Sequence, residues 1–389
     1  GAQTQPNLTV WGAEQAGSAD GTIPPYTGGL TKAPAGFDPT QGWADPFAAE
    51  KPLLVIDARN ADQYAEQLTP GQLALFKRYS NYKIQVYPTH RTAAFSDAMQ
   101  KAVREESGQI KLVAEGRGLA GVKNSPVPFP TPKTGLEVIW NTLLRRPAHS
   151  LSTQSASFIA SGGQTQLAPV STAQTIAFAP ALGMAGSQVL FNLIGEVKRP
   201  ASQAGEAALV QEPLNFKDDT RNAWIVNAGQ RRVLRAPELS HAAPAGNTDA
   251  LRTVDDIYGF NGSPERFDWV LLGKRELFIP YNNYRLSNKR FKYDQLLDGV
   301  FLKPELTRFE RHRVWIVEGR LKAGQDHIYS RRVLYIDEDS WYVALMDQYD
   351  LKGELWRTKA LYLLQAYQVP GMFSAGEMQH DFNARKTAF

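Results

Sequence analysis

A run of residues without charge places the tightest constraint on how this chain can fold. From Pro147 through Gly195 the sequence contains no Asp, Glu, Lys or Arg, and His149 is the only titratable side chain there, although charged residues make up 21% of the protein. Charged side chains are the ones that best tolerate contact with water. We therefore expect this stretch to be covered on most sides, to line an apolar cavity or to touch a membrane.

The uncharged stretch does not have the pattern of a membrane-spanning helix. A span needs about 20 predominantly apolar residues, and the most apolar window, Ile176 to Gly195, is interrupted by Pro180, Gly183 and Asn192. No cluster of Lys or Arg anchors either end closely. The sequence therefore predicts a soluble protein with no transmembrane segment.

Composition excludes several classes of function. The 389 residues carry a formal net charge of +4, which is too small to indicate a nucleic-acid binder. The absence of cysteine excludes disulfides, thiolate metal sites, cysteine nucleophiles and a lipid-modified N-terminal cysteine.

The start Gly1-Ala2-Gln3, without methionine, is typical of a chain that begins after a removed signal peptide. We expect an exported protein.

The first fifty residues have the composition of an extended arm. Gly, Pro and polar residues favour turns there, but the segment also carries spaced aromatic side chains, which disordered tails lack. These aromatic residues are Trp11, Tyr26, Phe37, Trp43 and Phe47. We expect residues 1–50 to pack on the body as an arm and residues 51–389 to form a single domain.

Helical patterns concentrate between residues 60 and 146. Capping residues and the spacing of apolar side chains predict four helices there. Their predicted bounds are Asn60–Leu68, Gly71–Tyr79, Ser96–Ser107 and Thr134–Arg145. The proline-rich run Pro126–Pro132 must be extended and cannot join a central strand.

Residues 151–367 have mainly the pattern of strands. Short turns separate the last four segments, which must therefore be antiparallel neighbours in sequential order. These segments are Arg313–Leu321, Ser330–Ile336, Trp341–Gln348 and Leu355–Tyr367. Because their centres are apolar on both faces, we expect both faces of the sheet to be covered. The predicted fold class is α+β and β-rich, with a curved antiparallel sheet that stays open.

Seven short motifs, spread over most of the chain, match a known family. They are Leu68–Gln72, Tyr87–Arg91, Val127–Pro130, Gly135–Asn141, Gly229–Val233, Phe267–Trp269 and Tyr335–Trp341. In these motifs the chain resembles the DUF1329 family, whose members are secreted proteins of Gram-negative bacteria. The family is similar in fold to the periplasmic lipoprotein carriers LolA and LolB.

The resemblance implies a strongly curved antiparallel open half-barrel, with helices over its concave face and a hydrophobic cavity between them. It implies periplasmic residence in a Gram-negative bacterium and binding of a lipid or other apolar molecule. It implies no catalytic residues, because the family has no established activity. The arm and the helices through Arg145 are additions to the carriers, and the N-terminal cysteine that anchors LolB-like proteins is absent.

Aromatic side chains are the predicted lining of that cavity, because ligand pockets are lined mainly by apolar and aromatic groups. The predicted lining residues are Trp140, Phe191, Trp224, Trp315, Tyr335, Trp341 and Trp356. Ordinary core packing explains each of them singly as well.

We predict non-catalytic carriage of a lipid-like or other hydrophobic molecule through the periplasm. An envelope or outer-membrane protein is a further predicted partner, and no cofactor or metal is expected. Two alternatives stay open at this point. One is an envelope scaffold protein that binds partners and has a filled core, and the other is an enzyme acting on an apolar substrate.

Other motifs are weaker signals of chemistry. Gly116–Gly121 fits the dinucleotide-binding pattern, but a proline-rich run follows where the motif needs a helix. His312, His327 and Glu310 would form a metal site only if neighbouring strands brought them together. No serine lies in the context of a hydrolase nucleophile.

We interpret the charged clusters as solvated surface. Asp337–Asp339 is predicted to be a hairpin turn in water, because the glycine of a calcium loop is missing, and Asp255-Asp256 is interpreted as loop polarity. The arginine groups are predicted to lie on a solvated outer face, with docking of an anionic headgroup or acidic partner as the alternative. They are Arg231, Arg232, Arg235, Arg308, Arg311, Arg313, Arg331 and Arg332.

Overall fold

A computed structural model gives the fold of the chain. It describes residues 7–145, 150–162, 164–177, 189–217, 219–237, 239–246, 248–289 and 291–389, with the backbone alone for residues 150, 164–177 and 293–294.

Three α-helices form where the capping pattern predicted them. They are α1 (Pro70–Arg78), α2 (Asp97–Glu106) and α3 (Gly135–Leu144). The hydroxyls of Thr69, Ser96 and Thr134 cap them, each accepting a hydrogen bond from the backbone N–H three residues further on. The fourth predicted helix is a 3-10 helix over Ala61–Gln67. Further 3-10 helices span Pro39–Gln41, Ala114–Gly116, Val254–Asp256, Tyr284–Ser287, Tyr293–Leu296 and Pro304–Leu306.

The strands account for most of the regular structure. The first ten are β1 (Leu54–Ile56), β2 (Ile84–Val86), β3 (Lys111–Val113), β4 (Gly118–Ala120), β5 (Ser150–Ser161), β6 (Gln164–Ala177), β7 (Val189–Arg199), β8 (Ala207–Pro213), β9 (Asn222–Val226) and β10 (Leu234–Arg235). The later strands are β11 (Phe267–Pro280), β12 (Leu297–Asp298), β13 (Phe301–Leu302), β14 (Phe309–Leu321), β15 (Arg331–Asp337), β16 (Val343–Tyr349), β17 (Leu355–Ala366), β18 (Gly371–Asp381) and β19 (Lys386–Ala388).

Fifteen of the described strands form one sheet that stays open. Its order is β1-β2-β14-β15-β16-β17-β18-β19-β5-β6-β7-β8-β9-β10, with β11 paired to β14. The antiparallel meander from β14 to β17 confirms the sequential order predicted from the short turns. The short strand β19 lies between β18 and β5 and joins the two halves of the sheet. The β-rich fold with an open sheet is therefore confirmed, while its half-barrel curvature stays a prediction.

Both faces are covered at the centre of the sheet. Every residue of β16 is buried, and burial is nearly complete on β15 and β17. Helix α1 packs on β16 and β17, and α3 packs on β11 and β14. The contact of α1 needs a glycine at Gly71, because a Cβ there would meet the side chains of Asp347 and Thr358 within 2.0–2.7 Å. The prediction that both strand faces are covered is confirmed.

The described part of the first fifty residues lies against the rest of the chain through single aromatic contacts. Trp11 is buried, and its carbonyl accepts a hydrogen bond of 2.8 Å from the Trp341 indole. The Tyr26 hydroxyl donates to the carbonyl of Ala93 at 2.7 Å. Phe37 packs edge-on against Tyr367. The division of the chain at residue 50 stays a prediction.

Strands β5, β6 and β7 pass through the uncharged stretch. Residues 178–188, which hold Pro180 and Gly183 of the apolar window, and the side chains of 163–177 lie outside the described residues. On β5 the exposed side chains include Ser152, Gln154 and Ser155. The expectation of cover is therefore wrong at these three positions, where hydroxyl and amide groups take the place of charge, and the alternatives of a cavity lining or a membrane contact stay predictions. Among the described residues, no helix combines the length and apolarity needed to cross a bilayer.

Candidate functional site

A buried group of titratable side chains lies at the turn that follows β15. Asp337, Glu338 and Asp339 are at most 2% exposed, so the interpretation of this segment as a solvated hairpin turn is wrong. The turn is covered by the segment around Arg91 and by the arm, and the positive charges that its buried carboxylates need come from Arg91, Lys274 and Arg313. These partners lie far away in the sequence.

Arg91 holds the carboxylate of Asp339 with two hydrogen bonds. Its Nε and Nη2 donate to the two carboxylate oxygens at 2.9 and 2.8 Å, and both side chains are 2% exposed. Burial lowers the pKa of Arg91, but the hydrogen bonds and the charge of Asp339 outweigh it and raise this pKa above its usual value. Arg91 belongs to one of the family motifs, yet nothing near it in the sequence indicated this partner.

Asp337 is the titratable group at the centre of this cluster. Its Oδ2 accepts hydrogen bonds from the Tyr281 hydroxyl at 2.8 Å and from the Ser340 hydroxyl at 2.6 Å. Burial, together with the nearby charge of Asp339, raises the pKa of Asp337 to about 7. The site can therefore hold a proton in the neutral range.

His312 completes the cluster on β14. Its ring stacks on Tyr281 at 3.7 Å between centroids, and its Nε2 lies 2.9 Å from Glu310. His312, Asp337 and Asp339 offer ligand atoms within 4.8 Å of one another, which makes them a geometric candidate for holding a cation. However, Arg91 already neutralises Asp339. The arrangement is satisfied by protein donors and positive charge without a metal ion.

The metal set considered from the sequence is not assembled. His312 and Glu310 are in contact, but the Nε2 of His327 lies 2.9 Å from Asp255 in a different buried cluster. That second cluster centres on Arg332, which donates to Asp255 at 2.9 and 3.2 Å and also bonds Asp256. The interpretation of Asp255-Asp256 as loop polarity is therefore wrong.

The predicted solvated arginine face is only partly observed. Arg332 is fully buried and Arg308 is 6% exposed, so the prediction is wrong for both. Arg332 points at the 3-10 helix Val254–Asp256, which supplies its carboxylates, while Arg308 bonds Glu310. Arg231, Arg232 and Arg235 are exposed, as predicted.

Replacing Asp337 by asparagine is expected to flatten the pH dependence of stability. With a pKa of about 7 in the folded state against 3.8 for the free group, the native protein holds a proton that the unfolded chain releases. Its stability therefore falls as pH rises through this interval, by about 1.4 kcal/mol per unit of pKa difference. Urea unfolding of wild type and Asp337→Asn at about pH 5 and about pH 8 measures this. Identical changes with pH in both proteins would contradict the assignment.

Two pockets lie in the packed half of the molecule. One, with a volume of only about 10 Å³, lies beside the carboxylate cluster and is lined by Ala93, Ala94, Phe95, Arg145, Asp339, Ser340, Tyr342 and Met372. The other, also of about 10 Å³, is lined by Asp45, Tyr87, Asn282, Asn283, Arg285, Leu306, Thr307 and Arg308. Both pockets have charged and polar groups in their walls, unlike the apolar cavity expected from the sequence.

The predicted lining residues fall into two groups. Trp140, Tyr335 and Trp341 are at most 4% exposed and lie in the main core. The other four lining residues are half-buried, and each packs against other side chains. Trp315 stacks on Trp341, Trp356 packs edge-on against Tyr329, Arg235 lies over Trp224, and Phe191 packs at the border of the core.

A strip of aliphatic side chains follows one face of β7, β8 and β9. In register, Leu193 pairs with Val210, which pairs with Ala223, and the next row is Gly195, Ala208 and Ile225. Partners directly opposite each other point to the same face. Leu193, Ala208, Val210 and Ile225 are half-buried and Ala223 is buried. We call this surface the Val210 face, defined by Leu193, Ala208, Val210, Ala223 and Ile225.

The Val210 face carries no charge between its two ends. At one end Glu212 is buried against Arg221, which also bonds Asn261. At the other end β7 stops at Arg199. The face is therefore a partly covered, uncharged aliphatic surface bounded by polar groups, unlike the solid packing of β14–β17.

The chain belongs to the DUF1329 family. The model of that family, described as a protein of unknown function, matches residues 55–389. A relative in Pseudomonas aeruginosa, the uncharacterized protein PA3922, is 44% identical over 375 residues, which cover 94% of this chain and 81% of the relative. These two findings confirm the resemblance read from the seven motifs.

Three solved structures are more distantly similar. A putative outer membrane lipoprotein-sorting protein domain from Vibrio parahaemolyticus aligns with a TM-score of 0.44 at 11% identity, covering 65% of this chain and 87% of that one. A DUF1329 family protein from Desulfovibrio piger gives 0.42 at 15% identity, with 62% and 82% covered. The LolA superfamily protein NE2245 from Nitrosomonas europaea gives 0.39 at 12% identity, with 66% and 90% covered. The family assignment rests on the family model and the sequence relative alone.

Proposed function

We propose that the protein is a non-catalytic carrier of a lipid-like or other hydrophobic molecule in the periplasm, and that the Val210 face contributes most of the binding surface. The observation that supports this is the pairing of aliphatic rows across β7, β8 and β9 without an interposed charge and without complete cover. Phe191, one of the predicted lining residues, pairs with Glu212 at one end of this face, whereas Trp224 lies on the opposite face of β9.

The driving force would be burial of apolar surface, at about 25 cal/mol per Å². An acyl chain would contribute about 0.8 kcal/mol for each methylene buried. Because the strip is partly open, it would bury only part of an acyl chain. Binding of the lipid would then be reversible, which suits a carrier that must load and release it. The role of the seven aromatic residues as ligand contacts is part of the same proposal.

Introducing a charge on this face is expected to remove binding. In Val210→Glu a carboxylate stands in the middle of the strip, where covering it with an acyl chain would desolvate it. The matched control is Gln211→Glu, one residue further along β8 and on the opposite face. Titration with a fluorescent fatty acid, and native mass spectrometry after mild extraction, should show at least about tenfold weaker binding for Val210→Glu alone.

Two results would overturn the carrier proposal. One is a wild-type protein that binds neither extracted lipid nor added fatty acid. The other is equal binding by wild type and Val210→Glu, which would place the ligand elsewhere. The same titration of Phe191→Ala tests the predicted aromatic contact on this face, since this change should weaken binding while leaving the fold intact.

A partner-binding envelope protein with a filled core is the second candidate. The solid packing of β15–β17 favours it, together with pockets of only about 10 Å³ each. An enzyme acting on an apolar substrate has less support. Burial raises the pKa of the Asp337 carboxyl to about 7, which would suit a general base, but its Oδ2 already accepts two internal hydrogen bonds.

A further inference from the structure

The opposite face of β7–β10 carries an exposed apolar row. In register, Ile194 pairs with Leu209, Leu209 with Trp224, and Trp224 with Arg235. Ile194 is 52% exposed and Leu209 is 38% exposed, while Trp224 is half-buried. We call this surface the Leu209 face, defined by Ile194, Leu209, Trp224 and Arg235. The three large apolar side chains are direct neighbours on adjacent strands. They therefore form a continuous apolar patch and are not isolated exposed residues.

Positive side chains gather at one end of this face. Strand β7 ends with Lys198 and Arg199, and β9, its second neighbour, ends at Val226, so both strand ends lie at the same edge of the sheet. The turn that follows β9 returns into β10 through Arg231, Arg232 and Val233. Five of these six side chains are exposed, Val226 being the exception, and Val233 is 62% exposed.

Among the described residues, fewer acidic than basic side chains lie near this edge. Of the acidic side chains near it, Glu196 is paired with Lys198 at 2.8 Å, and Glu206 is half-buried in the turn between β7 and β8. Arg235 at the end of the apolar row lies over the Trp224 ring at 4.9 Å, which keeps its guanidinium on the Leu209 face. The edge therefore combines an apolar row with Arg199, Arg231 and Arg232, for which the described residues provide no ion pair.

This combination matches the chemistry of a bilayer surface that contains anionic lipids. Lys and Arg near such a surface are attracted by its negative potential, and apolar side chains beside them enter the boundary between headgroups and acyl chains. The apolar side chains on the face match the acyl boundary of a bilayer, and the exposed arginines match its anionic headgroups, so we take a bilayer rather than a protein as the occupant.

We propose that the Leu209 face and the basic edge formed by Lys198, Arg199, Arg231 and Arg232 dock the protein on an anionic membrane surface. The inference goes beyond lipid carriage, because it concerns the face opposite the Val210 face. Docking of this kind leaves the Val210 face, on the other side of the same three strands, directed away from the bilayer. The contact is peripheral and weakens with salt, since it is largely electrostatic.

Vesicle co-sedimentation tests the proposal directly. Wild-type protein is mixed with vesicles of phosphatidylcholine alone and with vesicles that also contain phosphatidylglycerol, at low and high salt. We expect binding to the anionic vesicles only, and a loss of binding at high salt. Arg231→Glu/Arg232→Glu should bind at least about tenfold more weakly, because each reversed charge removes an attraction and adds a repulsion. The matched control is Lys77→Glu/Arg104→Glu, which reverses two exposed charges on α1 and α2.

A second variant separates the apolar contribution from charge. Leu209→Ser should weaken binding to anionic vesicles by a fewfold and keep the titration with monomeric fatty acid unchanged, while Val210→Glu should do the reverse. Failure of docking is thereby distinguishable from failure of carriage. The fold of each variant is checked by its far-ultraviolet circular dichroism and by its unfolding midpoint.

Several outcomes would overturn the docking proposal. Wild type that binds no vesicle would do so, as would equal binding to neutral and anionic vesicles. If Arg231→Glu/Arg232→Glu and Lys77→Glu/Arg104→Glu lost vesicle binding equally, the effect would come from the net charge of the protein and not from this edge. If wild type ignores vesicles but sediments as a dimer that Leu209→Ser disperses, a second copy of the chain occupies the face instead.

Discussion

Arg332→Ala is expected to lower the free energy of unfolding by about 3–5 kcal/mol. Arg332 is fully buried on β15 and bonds both Asp255 and Asp256. Its removal leaves two buried carboxylates without the positive charge that holds the pKa of Asp255 well below its usual value against the opposing effect of burial. Urea denaturation followed by tryptophan fluorescence measures the loss.

Two controls separate the charge from the volume of this side chain. Arg331→Ala changes the neighbouring residue, whose side chain is 35% exposed, and should cost no more than about 1 kcal/mol. Arg332→Met keeps most of the volume but not the charge, and its loss should approach that of Arg332→Ala. If Arg332→Met were as stable as wild type, the ion pairs would not be what holds the segment around Val254–Asp256 on the sheet.

Trp341→Ala is expected to destabilise the protein by about 3–5 kcal/mol and to expose the arm to protease. Trp341 is fully buried, stacks on Trp315 at 5.9 Å and donates its indole N–H to the carbonyl of Trp11. Its removal leaves a cavity in the core and an arm carbonyl without its donor. Thermal unfolding and limited proteolysis, with the cleavage site determined by mass spectrometry, measure the two effects.

Trp356→Ala is the matched control, because this indole is half-buried and packs on Tyr329 at the start of β17. We expect a loss of stability of about 1 kcal/mol and an arm that stays protected from protease.

The comparison of the two variants also tests the predicted cavity lining. A tryptophan that faces a ligand-sized space leaves few contacts behind when it is truncated, so a small loss at Trp341 would favour the lining role over core packing.

The parts of the fold with local signals could be predicted from the sequence. The caps Thr69, Ser96 and Thr134 fixed the starts of three helices, because a hydroxyl that satisfies a free N–H needs no tertiary information. The meander from β14 to β17 followed from turns too short for any other connection. Both features depend on residues within a few positions of each other.

The strands outside the meander gave weaker signals. In β5 the exposed positions carry Ser and Gln rather than charge, so the alternation between faces was not visible as a pattern of hydropathy. Strand β19 has only three residues, Lys386–Ala388, and no pattern can be recognised over that length. Strand β10 has two. Each pairs with its neighbour in the chain, β19 with β18 and β10 with β9, but neither is long enough to show an alternation of faces.

The buried charges were missed for a different reason. A run such as Asp337–Asp339 is solvated in most proteins, because burying carboxylates is costly unless counter-charges are supplied. Here the counter-charges come from Arg91, Lys274 and Arg313, at distances along the chain that no local pattern connects. Arg91 and Asp339 lie in two different family motifs, and neither motif indicates the other as its partner.

The position of β19 has a consequence for how the chain reaches its native state. This strand pairs with β18 through a tight turn, but its other edge pairs with β5, from a distant part of the chain. Pairings between distant segments form slowly, since loop-closure entropy is lost before the contacts are gained. The β14–β18 meander is local and should assemble first, so that the union with β5 is a late step. Until then both halves present unpaired strand edges, and this intermediate is the species most exposed to aggregation.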